Sequence, residues 1–314
     1  MKSIVVFFKQ PNFSDEPLDE AVYVEGYTEL AKAVTAKGAR FVIARGQYTY
    51  LGGTTFQGGW MFLDGVFQRY DGRLKADLIY NKDNTFIATP DANIINRRGL
   101  EDICIDKMVT YRHFPELFPL SVQAKSRQEY LQALGRITSD MIVVKPLTGF
   151  GGEGVHIIPR QEALQLEPEF PLLVQQFIDT SGGIPGIVDG IHDFRIIVMN
   201  GRVLSTTVRT PASGKLLSNV SQGGTMQTVL PADRPADALA FVEKIDPSLE
   251  KFGSRMYTID LGRDISGQWY LIELNDQPGL QTREEAGGGE HADRYYGEFA
   301  EFLIASASVP ALAS

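Results

Sequence analysis

Residues 141–158, MIVVKPLTGFGGEGVHII, constrain this chain most, because a lysine and a run of glycines stand between two apolar, β-branched stretches. Residues 141–145 read as a buried strand closed by Lys145, and residues 155–158 as a second strand that stops at Pro159. Between them come Pro146, Thr148, Gly149, Phe150, Gly151, Gly152, Glu153 and Gly154. Glycine lets backbone N–H groups approach phosphate oxygens, and a lysine at a strand end adds a point charge. The unit therefore suits a polyanion such as a nucleoside triphosphate.

The spacing of Gly149, Gly151 and Gly154 matches G-x-G-x-x-G, but the context excludes the familiar uses of that pattern. A dinucleotide fingerprint needs a helix after the glycines, and here a short apolar strand follows. A Walker loop needs Lys-Ser/Thr after the last glycine, where this chain has Val155-His156. A protein kinase places its lysine after the loop, and the tripeptides His-Arg-Asp and Asp-Phe-Gly do not occur. What remains is a strand–glycine loop–strand unit with its lysine upstream. The plain alternative is a solvated hairpin turn.

At 314 residues the chain can hold two domains or one domain of several lobes. A net charge of −9 argues against nucleic acid as the main partner. Cys104 is the single cysteine, so no internal disulfide forms and a reducing, cytoplasmic setting is expected. The apolar run at residues 4–8 is too short for a signal peptide, and no stretch approaches the ~18 residues of a membrane span.

The first third reads as α/β. Strands are expected at residues 4–8, 40–44 and 78–80, and helices at 20–36 and around 101–111, with Asp106 and Lys107 on the latter. Residues 45–71, rich in glycine and aromatics, read better as a β-hairpin with paired aromatics than as a substrate-facing loop. Residues 126–134 read as a helix with a Ser126/Glu129 capping box.

Two further hairpins carry polar groups. Residues 255–261 and 269–275 place Glu273 and Asn275 on one face of a strand, with Asp260 able to lie beside them on its partner. Three hard oxygen donors among apolar residues are costly unless something satisfies them, and Mg²⁺ held with phosphates would. Asp260 as an edge residue and Glu273 as a salt-bridge partner is the alternative. Residues 191–198 and 202–208, joined by Asn200-Gly201, set Asp193 and Arg195 opposite Phe194, Ile196 and Val198, and Arg209 ends the second strand. Taken singly, Arg195 and Arg209 read as partners of acids.

The order of these pieces resembles the ATP-grasp superfamily, most of all the branch holding glutathione synthetase and the ligases that add glutamate to ribosomal protein tails. The resemblance runs from about residue 96 to 280, and its most specific part is Glu273-x-Asn275-x-x-Pro278-Gly279 with Asp260 upstream. It implies an α/β protein (α+β lobes) with the ATP-grasp fold: a pre-ATP-grasp domain at residues 1–95, a small lobe with the glycine lid at 96–178, and a C-terminal lobe with the metal site at 179–314.

By the same resemblance, Lys107 and Lys145 contact ATP phosphates, and Gly149, Phe150, Gly151, Gly152 and Gly154 form the lid. Gln175, Gln176, Phe177 and Ile178 form the hinge that reads adenine. Asp260, Glu273 and Asn275 hold Mg²⁺, expected as two ions replaceable by Mn²⁺, and Arg209 and Asn219 stand at the reacting groups. Two positions depart from the pattern. Gln175-Gln176 stand where many relatives carry an acid, and Thr258 where many carry glycine. The implied activity is carboxylate–amine ligation through an acyl phosphate, releasing ADP and phosphate. An inactive ATP-binding regulator and a kinase of a small hydroxyl compound are the alternatives. Small amino-acid or peptide substrates and a homodimer are expected, with no nucleic-acid or membrane partner. Arg195, Arg209 and Arg283 are the arginines available to an acidic substrate.

Overall fold

The computed structural model describes residues 1–149, 151–218 and 223–309. The apolar run near the N-terminus becomes β1 (Ser3–Phe8), which is buried along its whole length. Such a run suits a strand covered on both faces. Ile4, Val6 and Phe8 enter one core, while Val5 and Phe7 enter another. β1 pairs in parallel with β2 (Arg40–Arg45) on one side and β6 (Leu78–Asn81) on the other, and β6 with β7 (Ile94–Ile95). Helix α1 (Ala21–Ala36) connects β1 to β2.

The glycine- and aromatic-rich segment is the expected hairpin. β3 (Tyr50–Gly52) and β5 (Val66–Lys75) both pair antiparallel with β4 (Thr55–Leu63). Its tight turn uses Asp64 and Gly65 at φ 50° and 86°, as a two-residue turn with left-handed central residues requires. Phe62 and Phe67 pair across the strands, and the Arg69 guanidinium lies 4.7 Å from the Trp60 ring.

The helix expected around residues 101–111 is instead two helices, α2 (Arg98–Ile105) and α3 (Lys107–His113). Asp106 between them is extended, and its carboxylate accepts the N–H groups of Met108 and Val109 at 2.8 and 3.1 Å. An aspartate stabilises a helix start better than a helix interior, so the chain breaks where it can cap.

A four-stranded antiparallel sheet follows, in the order β10-β9-β11-β8: β8 (Ser121–Ala124), β9 (Met141–Pro146), β10 (His156–Pro159) and β11 (Leu172–Gln176). Helix α4 (Arg127–Arg136) starts at Ser126, whose hydroxyl accepts the Glu129 N–H. The expected reciprocal contact is displaced by one residue, because Glu129 accepts the N–H of Lys125. Helix α5 (Arg160–Gln165) completes this lobe. Its core is drawn from residues 124–174 alone.

The last sheet is antiparallel in the order β14-β13-β12-β15-β16: β12 (Asp193–Met199), β13 (Arg202–Thr210), β14 (Thr225–Thr228), β15 (Met256–Arg263) and β16 (Trp269–Asn275). Phe194, Ile196 and Val198 point into a core shared with α2 and with α6 (Ala236–Leu249). On the opposite face Ile197, Met199 and Met256 join the core of the N-terminal sheet, together with Tyr295, Phe299 and Leu303 of α7 (Gly289–Ser306). Buried Asn96 ties these layers, donating to the carbonyls of Met256 and Asp276 and accepting the Met256 N–H. Among the described residues no helix is long and apolar enough to cross a membrane.

Candidate active site

Alternation along β9 sends Ile142 and Val144 into the lobe core and leaves Val143 and Lys145 on the other face. That face roofs a cleft enclosing about 930 Å³, counting its open mouth. Val155 and Ile157 extend the apolar roof, Ile272 and Glu273 of β16 line the opposite wall, and Phe177 and Ile178 line the back. Lys107, first residue of α3, enters the same cleft, and its N–H donates to the Leu147 carbonyl at the root of the glycine loop.

The two lysines are placed differently. Lys107 Nζ stands 3.1 Å from Glu273 Oε1 and donates to the Gly149 carbonyl at 2.8 Å. Lys145 makes no ion pair among the described residues. Its burial lowers the ammonium to about 8, and Lys107 adds to that fall against the opposing pull of Glu273. A cation kept unpaired in an apolar cleft is costly unless a ligand anion joins it.

The loop above them holds Gly149, Gly151, Gly152 and Gly154 at φ 113°, 68°, 78° and 68°. This is left-handed backbone that side chains resist. At Gly154 a Cβ would also stand 2.9 Å from Pro146 Cγ. Phe150 lies outside the described residues, as does Asn219.

At the back of the cleft the buried Gln175 amide donates to Ser121 Oγ at 2.7 Å, so its side chain is occupied inside the lobe. The exposed Gln176 donates its N–H to the Leu120 carbonyl. Among the described residues the main chains of Phe177 and Ile178 make no hydrogen bond. Their donors and acceptors are available to the edge of a planar ring.

The expected oxygen donors meet: Glu273 pairs across the strands with Asp260, and Asn275 with Thr258. They are not the uncompensated set that the sequence suggested. Asp260, 2% exposed, takes both Arg195 Nε and Nη2 at 2.8 and 2.6 Å and Arg209 Nη2 at 2.8 Å. Arg209 also grips Asp193 with two bonds of 2.7 Å. Burial opposes the Asp260 charge, but Arg195 and Arg209 outweigh it and hold the carboxyl at about 2. Asn275 Oδ1 accepts the Gln277 N–H at 2.8 Å.

Among the described residues no three His, Cys, Asp or Glu side chains gather to hold a metal. A cation here would rest on two carboxylates and an amide oxygen, a hard donor set that fits Mg²⁺.

Arg195 and Arg209 are thus committed to aspartates, and Arg283 bridges Glu29 and Asp293 at 3.0 and 2.6 Å. None of the three is the open anion site that its residue type suggested. The cation that sequence reading passed over is Lys82, just beyond β6. It lines a second hollow of about 650 Å³, open to solvent, with Gln10, Glu16, Tyr23, Gln277 and Gly279. Lys82 Nζ donates to the Pro278 carbonyl at 2.7 Å, and burial lowers it to about 7 against the attraction of Asp276. The only signal in the sequence is the triplet Asn81-Lys82-Asp83 after a strand. Nearby, Glu101 accepts from Asn81 Nδ2 at 2.9 Å, and burial with the Asp276 charge raises it to about 8. Asp276 itself, buried and with Oδ1 unpartnered, is raised to about 6 by burial.

Two antiparallel lobes closing on a cleft with paired lysines, a glycine loop and a carboxylate-bearing hairpin form the ATP-grasp architecture. The RimK domain protein ATP-grasp from Sphaerobacter thermophilus shares this fold at a TM-score of 0.59, with 15% identity over 96% of this chain and 99% of its own. Residues 106–277 match the prokaryotic glutathione synthetase ATP-grasp domain, and the chain belongs to that family. It is 26% identical over 196 residues to a probable alpha-L-glutamate ligase of Aeromonas salmonicida, covering 60% of this chain and 59% of that protein. It is 28% identical over 192 residues to a glutathione synthetase of Bradyrhizobium diazoefficiens, covering 59% and 56%. The chain thus spans little more than half the length of these two curated relatives.

Proposed function

We propose that this protein is an ATP-dependent ligase that activates a carboxylate of an amino acid or short peptide as an acyl phosphate and joins it to an amine, releasing ADP and phosphate. The observation that carries this reading is the cleft itself. Among the described residues its buried Lys145 has no ion-pair partner, Lys107 shares its charge between Glu273 and the lid, and the hinge main chain makes no hydrogen bond. In this reading Phe177 and Ile178 read the adenine edge, and Lys107 and Lys145 hold the phosphates under the lid of Gly149, Gly151, Gly152 and Gly154. Asp260, Glu273 and Asn275 would hold Mg²⁺, which supplies charge neutralisation when bound.

The names of two relatives, probable alpha-L-glutamate ligase and glutathione synthetase, support amide-bond formation on small substrates. For this chain we assign the acceptor side to the hollow beside Pro278-Gly279. There Lys82 can neutralise a substrate carboxylate and Glu16 can receive a substrate ammonium. In this reading Arg195 and Arg209 act by fixing Asp193 and Asp260. The lid matters because an acyl phosphate is lost to water when exposed.

The test is product analysis with a panel of amino acids and dipeptides. ADP and phosphate are expected, with a hydroxamate formed when hydroxylamine replaces the amine. AMP and pyrophosphate, a stable phosphorylated alcohol, or no turnover with the whole panel would each overturn the ligase reading.

A further inference from the structure

Away from the cleft, a small cavity of about 280 Å³, part of it open to solvent, lies between β13, the end of β14 and the first turns of α7. Its lining includes the guanidinium groups of Arg234 and Arg294 and the imidazole of His291, and its floor includes Ser205. Three observations make it unlike an ordinary surface dent. Ser205 is 6% exposed, and among the described residues its hydroxyl has no hydrogen-bond partner. Arg234 spends only Nε, on Thr206 Oγ1 at 3.0 Å, and has no carboxylate within ion-pair distance among the described residues. Arg294 adds a second guanidinium, which with burial pulls Arg234 below its usual value. Arg294 itself pairs with Glu298 at 4.0 Å, one turn along α7, and Glu298 partly offsets the pull on Arg234.

An unpaired guanidinium, a second one held only by a long contact to Glu298, and a buried hydroxyl without a partner among the described residues form a donor set short of acceptors. We propose that this cavity binds a free tetrahedral oxyanion, orthophosphate or sulfate, through Arg234, Arg294 and the Ser205 hydroxyl. A cation would meet two like charges there, and a neutral ligand would leave those charges uncompensated. A tetrahedral ion presents an oxygen to each donor and keeps one toward solvent. The cavity shares its Tyr295 wall with the acceptor-side loop, since the Tyr295 hydroxyl accepts the Gln281 N–H at 3.3 Å. Thr228, on the same wall, donates to the Glu285 carbonyl. An ion held here would brace α7 against β13 and β14 beside that loop. The inference is independent of the ligase reading.

The experiment is thermal unfolding of the full chain in increasing phosphate, and separately sulfate, against chloride at matched ionic strength. A saturable rise in melting temperature is expected, kept in Lys145→Ala and weakened about 10-fold in apparent affinity by Arg294→Gln. Arg294 is about half exposed, so its loss leaves the fold intact, and Arg234→Gln serves as a second variant. No saturable rise would overturn the site. So would a rise that disappears in Lys145→Ala and persists in Arg294→Gln, which would return the ion to the nucleotide cleft. Phosphoserine and glycerol phosphate run in parallel, and tighter binding of either ester than of orthophosphate would overturn assignment to the free ion.

Discussion

Lys145 and the Asp260–Glu273 pair show how differently neighbouring charges can be held. Because Lys145 stands at about 8 in the free protein, phosphates that favour its charged form should draw in part of a proton at pH 8. Calorimetry of ATP binding in two buffers of unlike ionisation enthalpy should detect that uptake. Lys145→Ala should abolish it and weaken binding by about 1.5–3 kcal/mol, with the melting temperature held or raised. Unchanged affinity would remove Lys145 from the site. Asp260→Asn and Glu273→Gln should part company. Asp260 is the shared anion of Arg195 and Arg209, so its loss leaves Arg195 unpaired among the described residues and Arg209 with Asp193 alone, at about 3–5 kcal/mol in denaturant unfolding. Glu273 is 24% exposed and among the described residues pairs only with Lys107, so its loss should cost about 1 kcal/mol or less, while Mg²⁺-dependent turnover disappears. Equal destabilisation by both would contradict this division. The strand-end position of Lys145 and the shared face of Glu273 and Asn275 were legible from strand pattern. The partners of Asp260 were not, because they arrive from positions 65 and 51 residues away, and no local pattern encodes that pairing.

At the scale of elements, the break at Asp106 is the instructive difference. Apolar residues recur through residues 100–110 at helical spacing, so periodicity alone runs the two helices together. The aspartate wins because an extended residue that caps Met108 and Val109 gains two bonds lost inside a helix. The break sets Lys107 at the first position of α3, with its side chain in the cleft. Asp106→Ala should therefore cost about 0.5–2 kcal/mol of stability and also weaken ATP binding, which a remote cap would not do. Calorimetric titration beside thermal melts separates the two effects. The hairpins, by contrast, were readable from the sequence, because Asp64-Gly65 and Asn200-Gly201 are turn residues that adopt left-handed backbone.

Over the whole molecule, the junction between the N-terminal sheet and the last sheet carries the pH dependence. Glu101 and Asp276 have raised values of about 8 and about 6, so the folded protein binds protons that the unfolded chain has released. Their stabilisation is complete below about pH 4 and lost as pH climbs through 6 to 8. Lys82 and Lys145, lowered to about 7 and about 8, act in the other sense and return stability as pH rises above those values. Melting temperature should thus fall from pH 5 toward a trough near pH 7–8. Glu101→Gln, which keeps an acceptor for Asn81, should flatten the acid side. A profile that rises steadily from pH 5 to 8 in both proteins would contradict the placement of these groups. This cluster was illegible in the sequence, where Lys82, Glu101 and Asp276 are separate surface-type residues that only the sheet-to-sheet contact buries.

The separateness of the four-stranded lobe has a mechanical consequence. The first and last sheets share one apolar core through Ile197, Met199, Met256 and α7, whereas the lobe built on β8–β11 keeps its core to itself. Swinging that lobe away would uncover the cleft without tearing a common interior, as a jaw would turn on the chain near Leu120 and Phe177. The rest of the molecule is the anvil. Lys107 already clips jaw to anvil through Leu147, Gly149 and Glu273, and a ligand in the cleft would add to that clip what a hydrophobic core supplies within each half.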